Sequence, residues 1–566
     1  MKRQRKVFLL ILLIAGICGF IFLYADNGVK AQDIQSIAWI TGTVYDKQNQ
    51  PVSGALVELI GGDNQEKLVE ASTQKDGRYT LAIPDEFPDS LTIHIERAHF
   101  KDNTLSLSSE IAESLRIGKS LVVPDVILVR KITPAFWIAT LIFIAVLVLI
   151  ATGYYHNTLA ALVGTALLFL VSYLGEPIYE GLYIFNFSTS LSYIDWNVIF
   201  LIMGMMIVIA VVEATGIFQW LAFFAYRVSG GRMWLLLPVL MLITGIASAF
   251  LDNVTTMLLM TPISVQIALS LGVNPLAFLI PEVLASNVIG VSTLVGTPTN
   301  ILIGSYGNIS FNDFLQNLTP GVILAFIGLV VYSWFSHRKE LSQAHDASEL
   351  LLAKLEERAK ITEPENLKKA GWIGAGMLAM FIFGEHIHLQ PAVTAIIGAT
   401  GLMVWIRPNI DEMIDAVDWT TLVFFMSLFI VVGSIQEVGL ISYIADWIGR
   451  IVGDNLTISM LVVIWVSAVL SMVIANIPFT AAMLPVVGFL SATIPGAESK
   501  VLFFCLSVGS AMGGNGSLIG ASANMVTAGI AESAGFPISY TYFMKKGLPA
   551  LIITIGLASL WLLIKF

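Results

Sequence analysis

Charge is scarce in this chain: Asp, Glu, Lys and Arg make up 12% of 566 residues, against 56% hydrophobic, and mean hydropathy is +0.81. A soluble enzyme and a disordered regulator are both excluded by that balance, because the charge-poor stretches are too long to bury in one globular core. A net charge of −10 disfavours nucleic acid as a partner. Cysteine is nearly absent, and Cys18 and Cys505 both sit in apolar runs, so neither a disulfide framework nor a thiolate metal site is implied. No HExxH or GxSG motif occurs, which leaves intramembrane protease chemistry without support. Glu385-His386-Ile387-His388 has neither helical ligand spacing nor a third ligand nearby and reads as a polar helix end, so no metal or cofactor is expected.

The charges that exist are unevenly placed: 27 fall in residues 26–131 but only 9 in 132–336. Lys2, Arg3, Arg5 and Lys6 precede the apolar run Val7 to Tyr24, so residues 1–31 read as a signal peptide or signal anchor that exports the segment after it. Residues 32–131 hold short β-rich runs between turn formers (Ile37 to Tyr45, Ala55 to Ile60, Tyr79 to Ile83, Leu91 to Ile95, Val122 to Val129), the pattern of a small extracytoplasmic β-sandwich. Asp76-Gly77 supplies a tight turn there and Tyr79 a core anchor.

From 132 onward the hydropathy predicts ten crossings of a roughly 30 Å hydrocarbon layer, near 134–153, 157–175, 197–216, 276–305, 319–336, 371–389, 391–406, 419–436, 499–530 and 548–564. Two further apolar segments, 233–270 and 457–490, are interrupted by polar residues and are expected to be re-entrant hairpins. Arg227, Arg232, Arg338, Lys339, Lys368, Lys369, Arg407, Lys545 and Lys546 then lie inside, with Arg130, Lys131, Arg450, Lys500 and Lys565 as exceptions. Residues 337–369 read as a cytoplasmic linker between a first repeat (132–336) and a second (370–566). A multi-pass protein of the plasma membrane is expected.

The two repeats are visible directly. At an offset of 223, Asp195-Trp196 aligns with Asp418-Trp419, Gly216 with Gly439, Arg227 with Arg450, Ser248 with Ser471, Asn253 with Asn476 and Pro262 with Pro485; at 224, Gly290, Gly296 and Asn300 align with Gly514, Gly520 and Asn524. An odd number of crossings per unit inverts the second copy, the signature of secondary transporters with a site at the repeat interface.

Four polar segments break the apolar runs at matching places: 251–262, 286–300, 474–485 and 513–524. Unwound backbone at membrane depth is costly unless it lines a polar cavity. Freed amides suit anions, and freed carbonyls with Asn, Thr and Ser oxygens suit a cation such as Na+. The candidate binding residues are Asp252, Asn253, Thr255 and Thr256; Asn287, Thr293, Thr297 and Asn300; Asn476 and Thr480; and Asn515, Ser517 and Asn524. Asp252 and Glu282 are the acids nearest this cluster, and a charge at a helix centre costs roughly 2.5–3.5 kcal/mol, so both are candidate coupling acids. For Asp252 the competing reading is a helix cap. No Lys or Arg lies in the four segments.

At these residues the sequence resembles the ion transporter superfamily of arsenite permeases, type D Na+/H+ antiporters and citrate and dicarboxylate carriers, and most of all its melanosomal P protein group. The motifs are IDWNVIFLIMGMMI, SAFLDNVTTMLLMTP, NVIGVSTLVGTPTN, NIPFTAAMLP and GGNGSLIGASANMVTAGIAE. The resemblance implies an all-α inverted-repeat fold with two hairpin tips and two unwound helices forming the sites, and dimers are common in it. The stretches ITGTVYDKQNQPVSGALVELIGG (40–62) and STQKDGRYTLAIP (72–84), the latter with a D-G-x-Y motif ending at Tyr79, similarly resemble the carboxypeptidase-regulatory-like repeat. Two departures stand out: Ala475 replaces an acid often present in the superfamily's second hairpin, and the first break reads Gly296-Thr297-Pro298-Thr299-Asn300 where an acid is often found. The expected activity is therefore secondary transport of a small anion, a carboxylate or an inorganic oxyanion, coupled to Na+ or H+. The alternatives are Na+/H+ antiport through Asp252 and, further off, a membrane sensor whose β-domain binds a ligand.

Overall fold

The computed structural model describes residues 38–47, 50–62, 66–84, 86–230, 232–342, 361–453 and 455–566. The expected signal segment and most of the linker lie outside these residues. The chain divides into two compact units, 1–131 and 132–566.

Among the described residues the first unit is a β-sandwich of nine strands. One sheet runs β4 (Arg78–Ala82), β1 (Trp39–Asp46), β9 (Val126–Arg130), β6 (Phe100–Lys101), with β8 (Leu121–Val122) beside β1. The other runs β3 (Glu66–Ser72), β2 (Leu56–Gly61), β5 (Leu91–Glu96), β7 (Asn103–Leu107). Alternation fixes the faces: every second residue of β1 and β2 is buried, and Ile40, Val44, Val57, Leu59, Ile93 and Ile95 meet in one core. Tyr79 is buried in that core, in keeping with its place in the motif. Gly77 makes the turn ahead of it at φ +76°, and Asp76 Oδ1 accepts from the Arg78 amide at 3.1 Å. Strands β3, β6 and β7 and the helix Ser109–Arg116 are additions to the sequence-based expectation; β3 has no buried residue and so no apolar alternation to reveal it.

The second unit is helical. Its first half comprises α1 (Pro134–Thr152), α2 (Asn157–Gly175), α3 (Phe187–Ser192), α4 (Trp196–Ala214), α5 (Ile217–Ser229), α6 (Met233–Phe250), α7 (Asn253–Ser270), α8 (Leu276–Ile289), α9 (Pro298–Gly307) and α10 (Phe311–Ser336). The second half repeats them in order: α11 (Pro364–Phe383), α12 (Pro391–Ile406), α13 (Ile410–Asp415), α14 (Trp419–Glu437), α15 (Leu440–Val452), α16 (Leu456–Val473), α17 (Asn476–Thr493), α18 (Val501–Gly513), α19 (Ser522–Ser533) and α20 (Tyr540–Lys565). From α3 through α7 the offset of 223 carries one set of helix ends onto the other residue for residue. Asp195 and Asp418 explain part of that match, since each caps the helix directly after it, α4 and α14.

Eleven helices among the described residues are long and apolar enough to cross a membrane, including both arms of each hairpin. Each arm is 18 residues, about 27 Å of helix, so each expected hairpin is a pair of helices, turning at Leu251–Asp252 and at Ile474–Ala475. The expected crossings 276–305 and 499–530 are each broken in two, at Gly290–Thr297 and Gly514–Ala521. Lipid matches the outer surface: α1 buries Phe136, Ala139, Phe143 and Val146 and leaves Trp137, Leu141, Ile144 and Val148 exposed.

Two sub-bundles result. α4 packs on α12 while α14 packs on α2, an exchange of partners that relates the halves by a pseudo-twofold axis; these helices with α1 and α11 form a scaffold. The second bundle joins α6 to α8, α16 to α18, α7 to α19, α9 to α17 and α10 to α20.

Candidate functional site

Both breaks are built alike. After the turn Gly290–Ser292 the chain extends at Thr293, whose hydroxyl donates to the Ala249 carbonyl at the end of α6 and accepts from the Gly296 amide at 3.1 Å. Asn300 then reaches back, its Nδ2 donating to the Val291 and Thr293 carbonyls at 3.0 and 2.7 Å. In the second half Ser517 donates to the Met472 carbonyl and accepts from the Gly520 amide at 3.0 Å, and Asn524 Nδ2 donates to the Gly514 and Ser517 carbonyls at 2.8 and 2.9 Å. Side chains thus satisfy backbone groups that helix geometry no longer pairs, which is what lets unwound chain exist at this depth. Gly296 and Gly520 are required by close approach: a Cβ on Gly296 would collide with the Gly290 carbonyl oxygen, and one on Gly520 would lie 2.9 Å from the Gly514 Cα.

Asparagines tie the breaks together. Asn287 Nδ2 donates to Asn515 Oδ1 at 2.9 Å and to Asn524 Oδ1 at 3.1 Å, while its Oδ1 accepts from Asn253 Nδ2 at 2.9 Å. Ser248 Oγ closes the chain on Asn253 Oδ1 at 2.7 Å, and Ser507 donates to Asn300 Oδ1 at 2.6 Å. Hairpin one, break one and break two therefore share one buried polar network, and each unmet partner in it would cost about 1–3 kcal/mol.

The remaining candidates are placed differently. Asp252 caps α7, accepting from the Thr255 amide at 2.9 Å and the Thr255 hydroxyl at 2.5 Å. It also lines an open cleft of 550 Å³, together with Thr255, Pro298, Ile477 and Ser522 from the hairpin bundle and His156, Glu213 and Asp418 from the scaffold. Thr297 caps α9 through the Asn300 amide at 3.2 Å. Asn476 and Thr480 are held apart from the asparagine network, bonded to each other by Thr480 Oγ1 to the Asn476 carbonyl at 2.7 Å. Thr256 is buried with its hydroxyl unpartnered. Glu282 is fully buried away from the cleft. A second cavity, 340 Å³, is lined by Asn197, Ser305, Asn308, Glu385 and His388, and Ile301 of α9 faces both spaces. Among the described residues no three His, Cys, Asp or Glu side chains cluster as metal ligands.

Sequence reasoning passed over the serines and the scaffold acids. Ser248, Ser286, Ser471 and Ser507 look like ordinary small residues of apolar helices; the repeat pairing of Ser248 with Ser471 was the available signal, and both bond across to the next helix, Ser248 to the Ser286 carbonyl at 3.1 Å and Ser471 to the Ser510 carbonyl at 2.6 Å. Glu213 and Asp418 lie far from the four polar segments in sequence and only the fold brings them to the cleft.

Residues 146–498 match the citrate transporter family profile. The chain belongs to the citrate transporter family. An uncharacterized transporter of Mycobacterium tuberculosis is 36% identical over 431 residues, covering 76% of this chain and 98% of that one. The P protein of Homo sapiens is 30% identical over 505 residues, 75% of this chain and 59% of its own. The crystal structure of the YdaH transporter of Alcanivorax borkumensis superposes with a TM-score of 0.50 over 75% of this chain and 97% of that one at 15% identity, a likeness of fold. This family member is thus a multi-pass membrane transporter, and the two spaces described here, lined by residues of both hairpin bundle and scaffold, meet α9 toward its start and toward its end.

Proposed function

We propose that this transporter moves a small anion, a carboxylate or an inorganic oxyanion, coupled to Na+ or H+, by alternating movement of the hairpin bundle against the scaffold. One asymmetry between the halves carries the reading. In the first half both inner helix starts are capped, α7 by Asp252 and α9 by Thr297. In the second half the equivalent positions are Ala475 and Ala521, neither with a side-chain cap. The large cleft is lined by Ile477 and Ser522 from the first turns of those two uncapped helices. Their free amides and positive dipole ends attract negative charge, each contributing about 0.3–1 kcal/mol and up to ~2 kcal/mol when partly buried. Asp252, which lines the same cleft, offers a carboxylate for a co-transported cation. On the topology favoured by the basic residues this cleft opens to the cytoplasm, which makes the conformation inward-facing.

Citrate, the substrate in the family's name, is the first anion to test. Ala475→Asp restores a cap and places negative charge at the start of α17, so labelled-citrate exchange in proteoliposomes should fall at least about tenfold, the effect of ~1.4 kcal/mol. Unchanged exchange would remove the argument from uncapped helices. A second reading, Na+/H+ antiport, is favoured by the position of Asp252 in the cleft; under it Asp252→Asn abolishes flux driven by Na+ or pH alone, with no anion needed.

A further inference from the structure

Glu282 lies in the middle of α8 with no accessible surface, and both arms of the first hairpin close on it. Ser264 of α7 donates to Oε2 at 2.8 Å, and Thr244 of α6 reaches the same oxygen at 3.4 Å. Oε1 has no hydrogen-bond partner. No other charged residue occurs in α6, α7 or α8; Asp252 caps α7 at the hairpin tip. Of the other helices packed on α8, α10 offers Asp313 in its capping box and Tyr332, and α18 offers Cys505. α19 offers Glu532 near its end, and α20 offers Tyr540, Tyr542, Lys545 and Lys546 near its start and Lys565 near its end. Lys546 Nζ is held by the Ser336 carbonyl at 2.6 Å and Lys565 Nζ by the Gln316 carbonyl at 3.0 Å. Among the described residues no cation pairs with Glu282, so a negative charge there would be stranded in an apolar interior at a cost of several kcal/mol.

Its position couples it to the site. One turn along the same α6–α8 seam Ser286 Oγ donates to Ser248 Oγ at 2.9 Å, and Ser248 donates to Asn253, the asparagine bonded to Asn287. The second half has no counterpart: the repeat places Leu506 at the position of Glu282, Val487 at that of Ser264 and Ser467, whose hydroxyl is unpartnered, at that of Thr244. Among the described residues of the hairpin bundle Glu282 is therefore the one fully buried acid, clamped by the two arms that must shift if the first hairpin is to move.

Resting on the transport reading above, we infer that Glu282 carries the coupling proton: it holds the proton while α6 and α7 are closed on α8, and gives it to water when the seam opens. On opening, the O–H bond breaks, water takes the proton to the side then accessible, and water replaces the Ser264 and Thr244 hydroxyls as donors to the carboxylate left behind. Rebinding reverses the step and lets the arms close on a neutral group. The coupling ion is then H+, and Asp252 is a cap and cleft residue without that role.

Full-length protein in phosphatidylethanolamine–phosphatidylglycerol liposomes tests this with labelled citrate as probe and an internal pH dye. Exchange of citrate for citrate needs no net proton movement; accumulation driven by a pH gradient does. Glu282→Gln, a permanently neutral mimic of the acid, should keep exchange within about threefold and lose at least about tenfold of pH-driven accumulation, together with the proton signal. Accumulation at the wild-type level in Glu282→Gln overturns the assignment while leaving the transport reading intact. Wild-type protein with no anion exchange at all overturns the transport reading and the assignment with it. If Glu282→Gln does not fold, Thr244→Val with Ser264→Ala strips the donors from Oε2 and should move the pH midpoint of wild-type uptake by more than about half a unit; an unmoved midpoint overturns the assignment.

Discussion

Asn287 Nδ2 stands 2.9 Å from Asn515 Oδ1, so a side chain from the first broken helix is bonded into the unwound turn of the second. The two halves are thus joined through a buried amide pair at their breaks, and the breaks move together or not at all unless that pair is exchanged for water.

Asn287→Ala leaves Asn253, Asn515 and Asn524, all buried, each short of a partner. At about 1–3 kcal/mol for each stranded group, the expected loss is on the order of 3 kcal/mol or more, with transport abolished. Thermal unfolding of the purified protein, read beside anion flux, checks this; a variant as stable as wild type would show that the network holds water in place of the amides.

Glycine substitutions should separate the breaks from the rest of the helices. Gly296→Ala drives a methyl into the Gly290 carbonyl and Gly520→Ala into Gly514, whereas Gly529 in α19 faces open space. The first two are expected to destabilise by at least about 2 kcal/mol, while Gly529→Ala is neutral or stabilising by up to ~1 kcal/mol. Unfolding temperatures of the three variants in one detergent make the comparison.

Acid should weaken the C-terminal end of α10. His337 comes directly after that helix, its Nδ1–H donating to the Ser333 carbonyl at 3.1 Å and its Nε2 buried without a partner. Burial, aided by the charge of Lys546, lowers its pKa to about 4. The unfolded chain, near 6.5, binds the proton first, so the stability this residue contributes is complete above pH 6.5 and is lost as pH falls toward 4. Between pH 7 and 5 the loss is on the order of 1–2 kcal/mol. His337→Gln should flatten that part of the stability profile; an identical slope in the variant would contradict the assignment.

Much of the fold was legible in particular residues. Asp195-Trp196 and Asp418-Trp419 mark the starts of α4 and α14, and the offset between them transfers through both hairpins because Gly216 and Gly439 and then Asn253 and Asn476 recur at the same spacing, although α6 and α17 begin without a side-chain cap. The amphipathic helices α5 and α15 were not legible: at 13 residues they are too short to span, and their mixed faces resemble loop composition. The breaks were legible as polar, glycine-bearing runs at 286–300 and 513–524 inside expected crossings; how the chain unwinds there shows only in the hydrogen bonds of Asn300 and Asn524. Four asparagines of the candidate set, Asn253, Asn287, Asn515 and Asn524, do converge. Asn476 stands outside their network because its hairpin tip, with Ala475 for an acid, meets the cleft through Ile477 instead.

Charge movement by wild-type protein on a solid-supported membrane, during rapid jumps of citrate, Na+ and pH applied separately and together, tests anion transport most directly. A current that needs citrate and is lost in Ala475→Asp is the expected result. Currents evoked by Na+ or pH jumps without any anion, and abolished in Asp252→Asn, would contradict it and make this family member a cation antiporter.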